Sequence, residues 1–183
     1  GAVLNKCAYI KQSCASNQAL NLFSRPLKGR LKHPHPTLEM AAKKNLFLKN
    51  LKIATYHWKG KGDTILLAHG WHSNSGRWKN TIAQLIKQDY NIVALDAPAH
   101  GASGSKIFNA ILYAQFIGVV CKKFNPSILI GHSVGGMAIS YFLKSNSNYK
   151  ANKLLFLGVP AGFPAIFKNY SDLMGYNKKV RAG

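Results

Sequence analysis

Residues 127–136 read SILIGHSVGG, an apolar run that leads into a Gly-x-Ser-x-Gly pattern centred on Ser133. The run predicts a strand buried on both faces, and residues 134–144 carry apolar side chains at helical spacing. A serine at so sharp a strand-to-helix turn has a strained backbone. Gly131 and Gly135, two positions away on either side, must then be small to avoid collision. We expect this turn to lift the Ser133 hydroxyl clear of the sheet as a nucleophile, beside the N–H groups that open the helix. The alternative is a glycine-rich turn without chemistry.

The chain from residue 51 onward alternates between strand and helix patterns. Apolar runs at 51–58, 64–68, 91–95 and 153–158 predict further strands, the first of them at one edge of the sheet. Short apolar strands between helices predict an α/β fold with a mostly parallel sheet and helices on both faces. Sites in such sheets lie beyond the carboxyl ends of the strands. The predicted inward-facing helical residues are Trp78, Ile82, Leu85 and Ile86; Tyr113, Phe116, Ile117, Val120 and Phe124; and Val134, Met137, Ala138, Tyr141 and Phe142.

The first 37 residues are expected to stand apart from this pattern. Residues 1–24 have apolar side chains at helical spacing and predict one helix, and the proline-rich residues 25–37 predict an irregular linker. His33 and His35 in that linker are candidate metal ligands. Their alternation with proline gives no fixed geometry, so we expect solvated side chains and no metal site.

A second motif, His69-Gly70-Trp71, follows the strand at 64–68. An oxyanion hole needs two convergent N–H donors, and a glycine allows the backbone to come close. We expect the N–H groups of Trp71 and Val134 to be those donors. His69 is expected to be a structural hydrogen-bonding residue, and His72 either contacts substrate or is an exposed loop histidine.

A third motif, DAPAHGASG at 96–104, follows the strand at 91–95. Asp96 is a candidate catalytic acid by type. The turn context favours a structural role, because aspartates in turns accept hydrogen bonds from nearby backbone N–H groups. His100 is likewise expected to brace the loop.

The three motifs together resemble those of the α/β-hydrolase family, most closely bacterial hydrolases that read HGW…DAPAHGxS…GHSxGG. The resemblance covers residues ~50–160 and implies a serine-dependent enzyme that cleaves esters, thioesters or similar acyl bonds without a cofactor. It also implies a mobile cap after the sixth strand, of which 161–183 would be the start. The predicted domains are 1–37 (N-terminal helix and linker), 38–160 (partial hydrolase core) and 161–183 (cap). His132, next to the nucleophile, is expected to support the site and to point its ring elsewhere.

The departure from the family is the missing general base. All seven histidines precede Ser133, whereas the family's order is Ser, then acid, then His. The sole acid after Ser133 is Asp172, expected to be a surface residue of the cap. The base must therefore come from sequence outside these residues, from another chain, or not at all, and residues 1–183 alone are expected to be inactive. A non-catalytic scaffold with this fold and an acyltransferase remain alternatives to a hydrolase.

The composition of the chain restricts the classes of partner and the cellular setting that we expect. The net charge of +20 arises from 25 Lys and Arg against 5 Asp and Glu, but the cations are scattered and no aromatic-basic motif accompanies them. We therefore expect a small-molecule acyl substrate and no nucleic acid. Three cysteines predict free thiols in a reducing, cytoplasmic setting, and no apolar run is long enough for a membrane span. Oligomeric state is not predicted.

Overall fold

A computed structural model describes residues 1–30 and 35–182. These form two compact units, one made of Gly1–Pro26 with Pro160–Gly183 and the other of Leu27–Val159. The helices are α1 (Ala2–Ile10), α2 (Gln12–Phe23), α3 (Pro36–Glu39), α4 (Lys79–Lys87), α5 (Ala110–Phe124), α6 (Val134–Ser145), α7 (Phe163–Leu173) and α8 (Lys178–Ala182). The strands are β1 (Ala42–Leu48), β2 (Leu51–Trp58), β3 (Thr64–Ala68), β4 (Asn91–Leu95), β5 (Ile128–His132) and β6 (Lys153–Leu157).

The strands form one mixed sheet in the order β1-β2-β4-β3-β5-β6. Strands β4, β3, β5 and β6 are parallel to one another, and β2 is antiparallel to both of its neighbours. Ala68 at the end of β3 lies beside Leu95 of β4 and Gly131 of β5. The loops that follow these three strands therefore start from the same edge of the sheet.

The central strands are apolar on both faces because helices cover both faces. Ile65, Ile92 and Ile130 pack in one cluster with Trp78 and with Ile82 of α4. Side chains on the opposite face, such as Leu66, Val93 and Leu129, are fully buried on the side of α5 and α6. The predicted α/β architecture is confirmed: a mostly parallel sheet with helices around it.

Several local expectations were wrong. Strand β1 was not predicted, and it covers β2, so residues 51–58 are not the edge strand. The sequence of β1, AKKNLFL, is rich in lysine, and most of its residues are exposed, as an edge strand allows. Residues 1–24 form two helices rather than one, because Lys11 has an extended backbone between α1 and α2. Ile86 and Tyr141, predicted to face inward, are 42% and 41% exposed.

The smaller unit joins both ends of the described chain. The Ser16 hydroxyl of α2 donates to the Val180 carbonyl at 2.8 Å, and Asn5 of α1 donates to the Gly175 carbonyl at 2.8 Å. The predicted domain boundaries stay a prediction, with the added observation that the N-terminal helices share a unit with α7 and α8. None of the described helices has the length and apolar character needed to cross a bilayer.

Strand β6 is the last strand of the sheet, and no other described strand pairs with its outer side. All five of its residues are exposed, and Leu154, Leu155, Phe156 and Leu157 are each 41–50% exposed. Because successive side chains of a strand point to opposite faces, both faces of this edge are apolar and open. An open apolar edge is a site for association with another chain.

We expect Leu155→Lys to reduce aggregation and to change the free energy of unfolding by no more than ~1 kcal/mol, because Leu155 is already half exposed. Light scattering and urea unfolding would measure the two effects. The matched control is Leu129→Lys in the neighbouring strand β5, where the side chain is fully buried and unfolding is expected. Unchanged aggregation in the Leu155 variant would show that the β6 edge is not the associating surface.

Candidate active site

Ser133 lies at the turn between β5 and α6, with φ +52° and ψ −125°. A positive φ is rare for a residue with a side chain and stores strain that the surroundings must hold. The Ser133 N–H donates to the Leu157 carbonyl of β6 at 2.9 Å, and the Ser133 carbonyl accepts from the Gly136 N–H at 3.0 Å. The sheet and the first turn of the helix thus fix the strained backbone on both sides.

The glycines around Ser133 are required by close packing. A Cβ on Gly131 would lie 2.5 Å from the Gly136 Cα, and a Cβ on Gly135 would lie 2.3 Å from the Ala68 carbonyl oxygen. Such distances are below any real contact, so α6 could not stay against β3 and β5 with larger residues there. The small residues predicted on either side of the serine are needed for this packing.

The loop after β3 comes against the serine through Gly70. A Cβ on Gly70 would lie 3.0 Å from the Ser133 Cβ and 2.8 Å from His132 Nδ1. Across the turn, Val134 and Gly135 open α6, so their N–H groups have no partner within the helix and stand at its positive end. Trp71 follows Gly70, and its ring stacks on His72 with centroids 3.9 Å apart. Convergence of the Trp71 and Val134 N–H groups near the Ser133 hydroxyl stays a prediction.

His69 is fully buried, and both of its ring nitrogens are engaged. Nε2 accepts a hydrogen bond from the Ala97 N–H at 3.0 Å, so the proton is on Nδ1, which donates to the Gly70 carbonyl at 2.7 Å. Burial lowers the pKa of His69 and keeps the ring neutral. His69 therefore ties the loop after β3 to the loop after β4.

Asp96 is buried, and four hydrogen bonds reach its carboxylate. The donors are the N–H and hydroxyl of Ser75 at 2.8 and 2.7 Å, the Tyr56 hydroxyl at 3.0 Å and the Ala102 N–H at 2.9 Å. Burial, followed by the adjacent carboxylate, raises the pKa of Tyr56. The carboxylate joins β2, the turn before α4 and its own loop. Neither Ser75 nor Tyr56 was predicted to contact Asp96. Asn74 caps the short helical turn that begins at Ser75.

His100 is also fully buried. Its Nε2 accepts from the His72 N–H at 3.0 Å, and its Nδ1 donates to the Pro98 carbonyl at 2.8 Å. Burial, with a smaller contribution from His69, lowers the pKa of His100 to about 4. The neutral ring connects the loops after β3 and β4 a second time.

The other described histidines are not paired with Ser133 either. His57 contacts Asn91, His72 accepts a hydrogen bond from the Leu27 N–H at 3.3 Å, and His35 caps α3.

His132, directly before Ser133, is half-buried. Its Nδ1 has no hydrogen-bond partner within residues 1–30 and 35–182, and burial and Arg77 lower its pKa. His33 lies outside the described residues. Across the described chain, no histidine is hydrogen-bonded to the Ser133 hydroxyl.

The described residues also offer neither a catalytic acid after Ser133 in the chain other than Asp172 nor a cluster of metal ligands. Asp172 of α7 is exposed and pairs with Lys168 and Arg181, whose hydrogen bonds lower its pKa. In the part of the chain that the structure describes, no three His, Cys, Asp or Glu side chains form a group that could hold a metal ion. The chemistry that the described residues supply is a strained serine beside a helix N-terminus.

Residues 65–175 match the alpha/beta hydrolase family, over more than half of the chain. The chain belongs to this family. The solved thioesterase domain from the curacin biosynthetic pathway has the same fold: it superposes with a TM-score of 0.59 at 23% identity, covering 73% of this chain and 53% of that one.

Two curated relatives are hydrolases. The pimeloyl-[acyl-carrier protein] methyl ester esterase of Vibrio atlanticus is 26% identical over 99 residues, which cover 51% of this chain and 36% of the relative. The (E)-2-((N-methylformamido)methylene)succinate hydrolase of Acinetobacter baylyi is 28% identical over 144 residues, covering 76% of this chain and 48% of the relative. The chain thus spans less than half the length of either enzyme.

We expect Asp96→Asn to lower the free energy of unfolding by about 2–4 kcal/mol. The NH₂ group of the asparagine would face N–H and O–H donors that now bond to the carboxylate, so at least one donor would lose its acceptor. Because the site is buried, water cannot replace the lost hydrogen bond. Urea unfolding measures the change. Asp63→Asn is the matched control, because Asp63 is exposed and accepts one side-chain bond, from Ser127. Equal effects of the two substitutions would contradict the buried role of Asp96.

The buried neutral histidines also predict a dependence of stability on pH. The unfolded chain binds a proton at His100 near its ordinary pKa of about 6.5, whereas the folded chain binds it only near 4, so stability falls as pH drops between these values. We expect wild type to lose about 2 kcal/mol more than His100→Gln between pH 7 and 4.5. Unfolding at both pH values measures this, with His57→Gln as control. Parallel losses in wild type and His100→Gln would refute the assignment.

Proposed function

We propose that this family member is a serine hydrolase that cleaves an acyl ester or a related carbonyl bond through an acyl-enzyme on Ser133. The observation that carries the proposal is the strained Ser133 backbone at the β5–α6 turn. Strain of this kind needs several supporting contacts, and a turn without chemistry gains nothing from it. The glycines that pack against this turn support the same role.

In the proposed reaction, the Ser133 oxygen attacks the carbonyl carbon of the substrate after passing its proton to a general base. The carbonyl oxygen becomes an oxyanion, which the N–H groups of Trp71 and Val134 stabilise. The leaving group departs with a proton, and water then hydrolyses the acyl-enzyme and restores the serine. The helix N-terminus at Val134 and the closeness of Gly70 to Ser133 support the two proposed donors.

We place the general base outside residues 1–183. His69 and His100 use both ring nitrogens within the fold, and their lowered pKa values make them poor proton acceptors. His132 is the last residue of β5, and it has no hydrogen bond with the serine that follows it. Asp96 is saturated by donors of its own. A serine without an adjacent base is a weak nucleophile near neutral pH.

The proposed substrate is a small acyl compound, and no step of the proposed reaction uses a cofactor. Hydrolytic activities in the two curated relatives support the reaction class, and their different substrates leave the acyl group open. The start of a cap at 161–183 and a cytoplasmic location are proposed on the family resemblance and on the free, unpaired state of Cys7, Cys14 and Cys121.

A non-catalytic scaffold is the second candidate. The observation that favours it is the engagement of the described histidines in loop contacts rather than with Ser133. Transfer of the acyl group to an acceptor other than water would use the same serine and the same donors. Product analysis with water and with added alcohol acceptors separates hydrolysis from transfer.

We expect residues 1–183 alone to show no enzymatic turnover of short-chain nitrophenyl esters, and the full gene product to show Ser133-dependent turnover. Without the base, an oxyanion hole and binding leave a residual acceleration of about 10³–10⁴ over water in comparable serine enzymes. Rates of both proteins are measured side by side, with Ser133→Ala in each as the control.

Two outcomes would contradict the proposal in different ways. Ser133-dependent turnover by residues 1–183 alone would show that a base is present, and His132 would be the first to test. A full gene product with the rate of its Ser133→Ala variant across ester, thioester and amide substrates would support the scaffold instead.

A further inference from the structure

Residues 27–30, LKGR, lie against two loops of the candidate site. They belong to the same compact unit as the sheet and are exposed or half-buried. The Gly29 carbonyl accepts hydrogen bonds from the Gly101 N–H at 2.8 Å and from the Asn74 side chain at 3.3 Å. Asn74 lies in the loop after β3 and Gly101 in the loop after β4. One carbonyl oxygen of this 27–30 segment therefore joins both loops, although the sequence predicts only a linker there.

Arg30 adds a second contact between the 27–30 segment and the loop after β4. Its guanidinium donates to the Ser103 carbonyl at 2.6 Å and to the Ser105 carbonyl at 2.8 Å. Because the guanidinium holds its N–H donors in one rigid plane, two bonds to one loop fix the direction of that loop as well as its distance. Ser105 has φ +83°, an uncommon backbone for a residue with a side chain. Arg30 thus stabilises a part of the loop that local backbone preference opposes.

Gly29 allows the 27–30 segment to lie this close to the loops. Its φ is +98°, which glycine adopts far more readily than other residues. A Cβ on Gly29 would lie 2.6 Å from the Ser73 carbonyl oxygen and 2.6 Å from the His100 ring. The Ser73 atom is part of the backbone, so a larger residue would push the segment away from the loop after β3. The contact therefore requires a glycine at this position.

His72 connects the 27–30 segment to Trp71. The His72 Nε2 accepts a hydrogen bond from the Leu27 N–H at 3.3 Å, so the ring proton is on Nδ1. Burial, followed by the charge of Lys28, lowers the pKa of His72 and keeps the ring neutral. The ring stacks on Trp71 with an angle of 19° between the two planes. The segment therefore holds the ring against which Trp71 packs.

The backbone of His72 also needs outside support. Its φ is +55°, and such a conformation persists only where the surroundings hold it. The His72 N–H donates to the buried His100 ring at 3.0 Å, and Leu27 holds the His72 ring from the other side. The residue next to Trp71 is thus fixed both from the interior and from the 27–30 segment.

We propose that the 27–30 segment positions the Trp71 N–H, the proposed oxyanion donor, through its contacts with His72 and with the two loops. Gly29 and Arg30 act through other residues, so they are positioning residues rather than catalytic ones. The inference rests on the proposed function, because an oxyanion forms only if Ser133 attacks a carbonyl. A donor displaced by about 1 Å stabilises the transition state less and leaves substrate binding in place.

Hydrogen exchange in the 183-residue protein tests the contact itself. We expect Arg30→Gln and Gly29→Ala to raise amide exchange about tenfold in residues 70–76 and 98–105, because both substitutions release the loops locally. Amides of the central strands should exchange as in wild type. Circular dichroism checks that the variants are folded, and Arg30→Gln tests the contact even if Gly29→Ala does not fold.

Two substitutions serve as matched controls for this exchange. Arg25→Gln removes another exposed arginine from the stretch just before the segment. Gly175→Ala adds a Cβ at φ +64°, where none of the described residues lies within 4 Å of it. We expect neither to change exchange in the two loops. Unchanged exchange in the Arg30 and Gly29 variants, or an equal increase in the controls, would overturn the proposal.

Kinetics of the full gene product test the link to the oxyanion. With a short-chain nitrophenyl ester, we expect Arg30→Gln to lower kcat about tenfold and to leave KM within about twofold, because a donor to the oxyanion acts in the transition state. Arg30→Lys keeps the charge but loses the paired donors, so its kcat should resemble that of Arg30→Gln. Arg25→Gln should keep the wild-type kcat.

The possible failures are distinguishable. Wild-type turnover that depends on Ser133, together with an unchanged kcat in Arg30→Gln or a change in KM alone, would overturn this inference and leave the proposed function standing. A wild-type kcat in Arg30→Lys would show that the charge acts rather than the position of the loop, and would also overturn it. A full gene product without Ser133-dependent turnover would contradict the proposed function and the positioning role with it.

Discussion

The Asp96 carboxylate directly follows β4 and accepts hydrogen bonds from two other segments of the chain and from its own loop. It is fully buried without a cation against it among the described residues, an arrangement that costs several kcal/mol unless hydrogen bonds replace the lost water. Donors from Tyr56, Ser75 and Ala102 provide these bonds, and each comes from a different part of the chain. A carboxylate in this position can be satisfied only when β2, the turn before α4 and its own loop are all in place. The loop geometry around the serine depends on this constraint.

The position of the serine turn depends on the loops after β3 and β4, which hydrogen bonds of Asp96, His69 and His100 stabilise. His69 connects the loop after β3 to that after β4, and His100 adds a second connection through the His72 N–H. Gly70 is carried by the first of these loops and packs against Ser133. Parallel pairing at Ala68 brings the strand ends together at the start. The pairing register of the strands therefore brings the loops to one edge of the sheet, and the buried hydrogen bonds of the histidines and Asp96 then fix the positions of the loops around Ser133.

The sequence predicts the central sheet well because its signals are local. Runs such as 64–68 and 91–95 are apolar at every position, which few structures other than a doubly covered strand allow. The glycine pattern around Ser133 identifies its turn for a similar reason, since the steric demand acts within a few residues. Strand β1 was missed because AKKNLFL is not a continuous apolar run. It is a strand because it pairs with β2, and a pairing between strands depends on tertiary context rather than on local sequence.

The sequence indicates that the loops after β3, β4 and β5 lie at one edge of the sheet, but it does not predict the contacts that connect them. Tyr56 and Ser75 reach Asp96 over separations of 40 and 21 residues, and no spacing rule gives such contacts. Tyr141 was predicted to be buried because it has the period of the inward face of α6. It is instead 41% exposed on the outer side of that helix. Periodicity shows which face of a helix is apolar, but the burial of each residue on that face depends on which other elements pack against it.

Strand β6 connects the nucleophile to the open edge of the sheet. The Leu157 carbonyl at its end accepts a hydrogen bond from the Ser133 N–H. The strained turn is therefore held in part by a strand that has only one neighbour, β5, among the strands that the structure describes. Both faces of β6 are apolar and exposed, and an edge strand of this kind is the least protected part of a sheet against local opening. Any opening of β6 removes one of the contacts that balance the strain at Ser133.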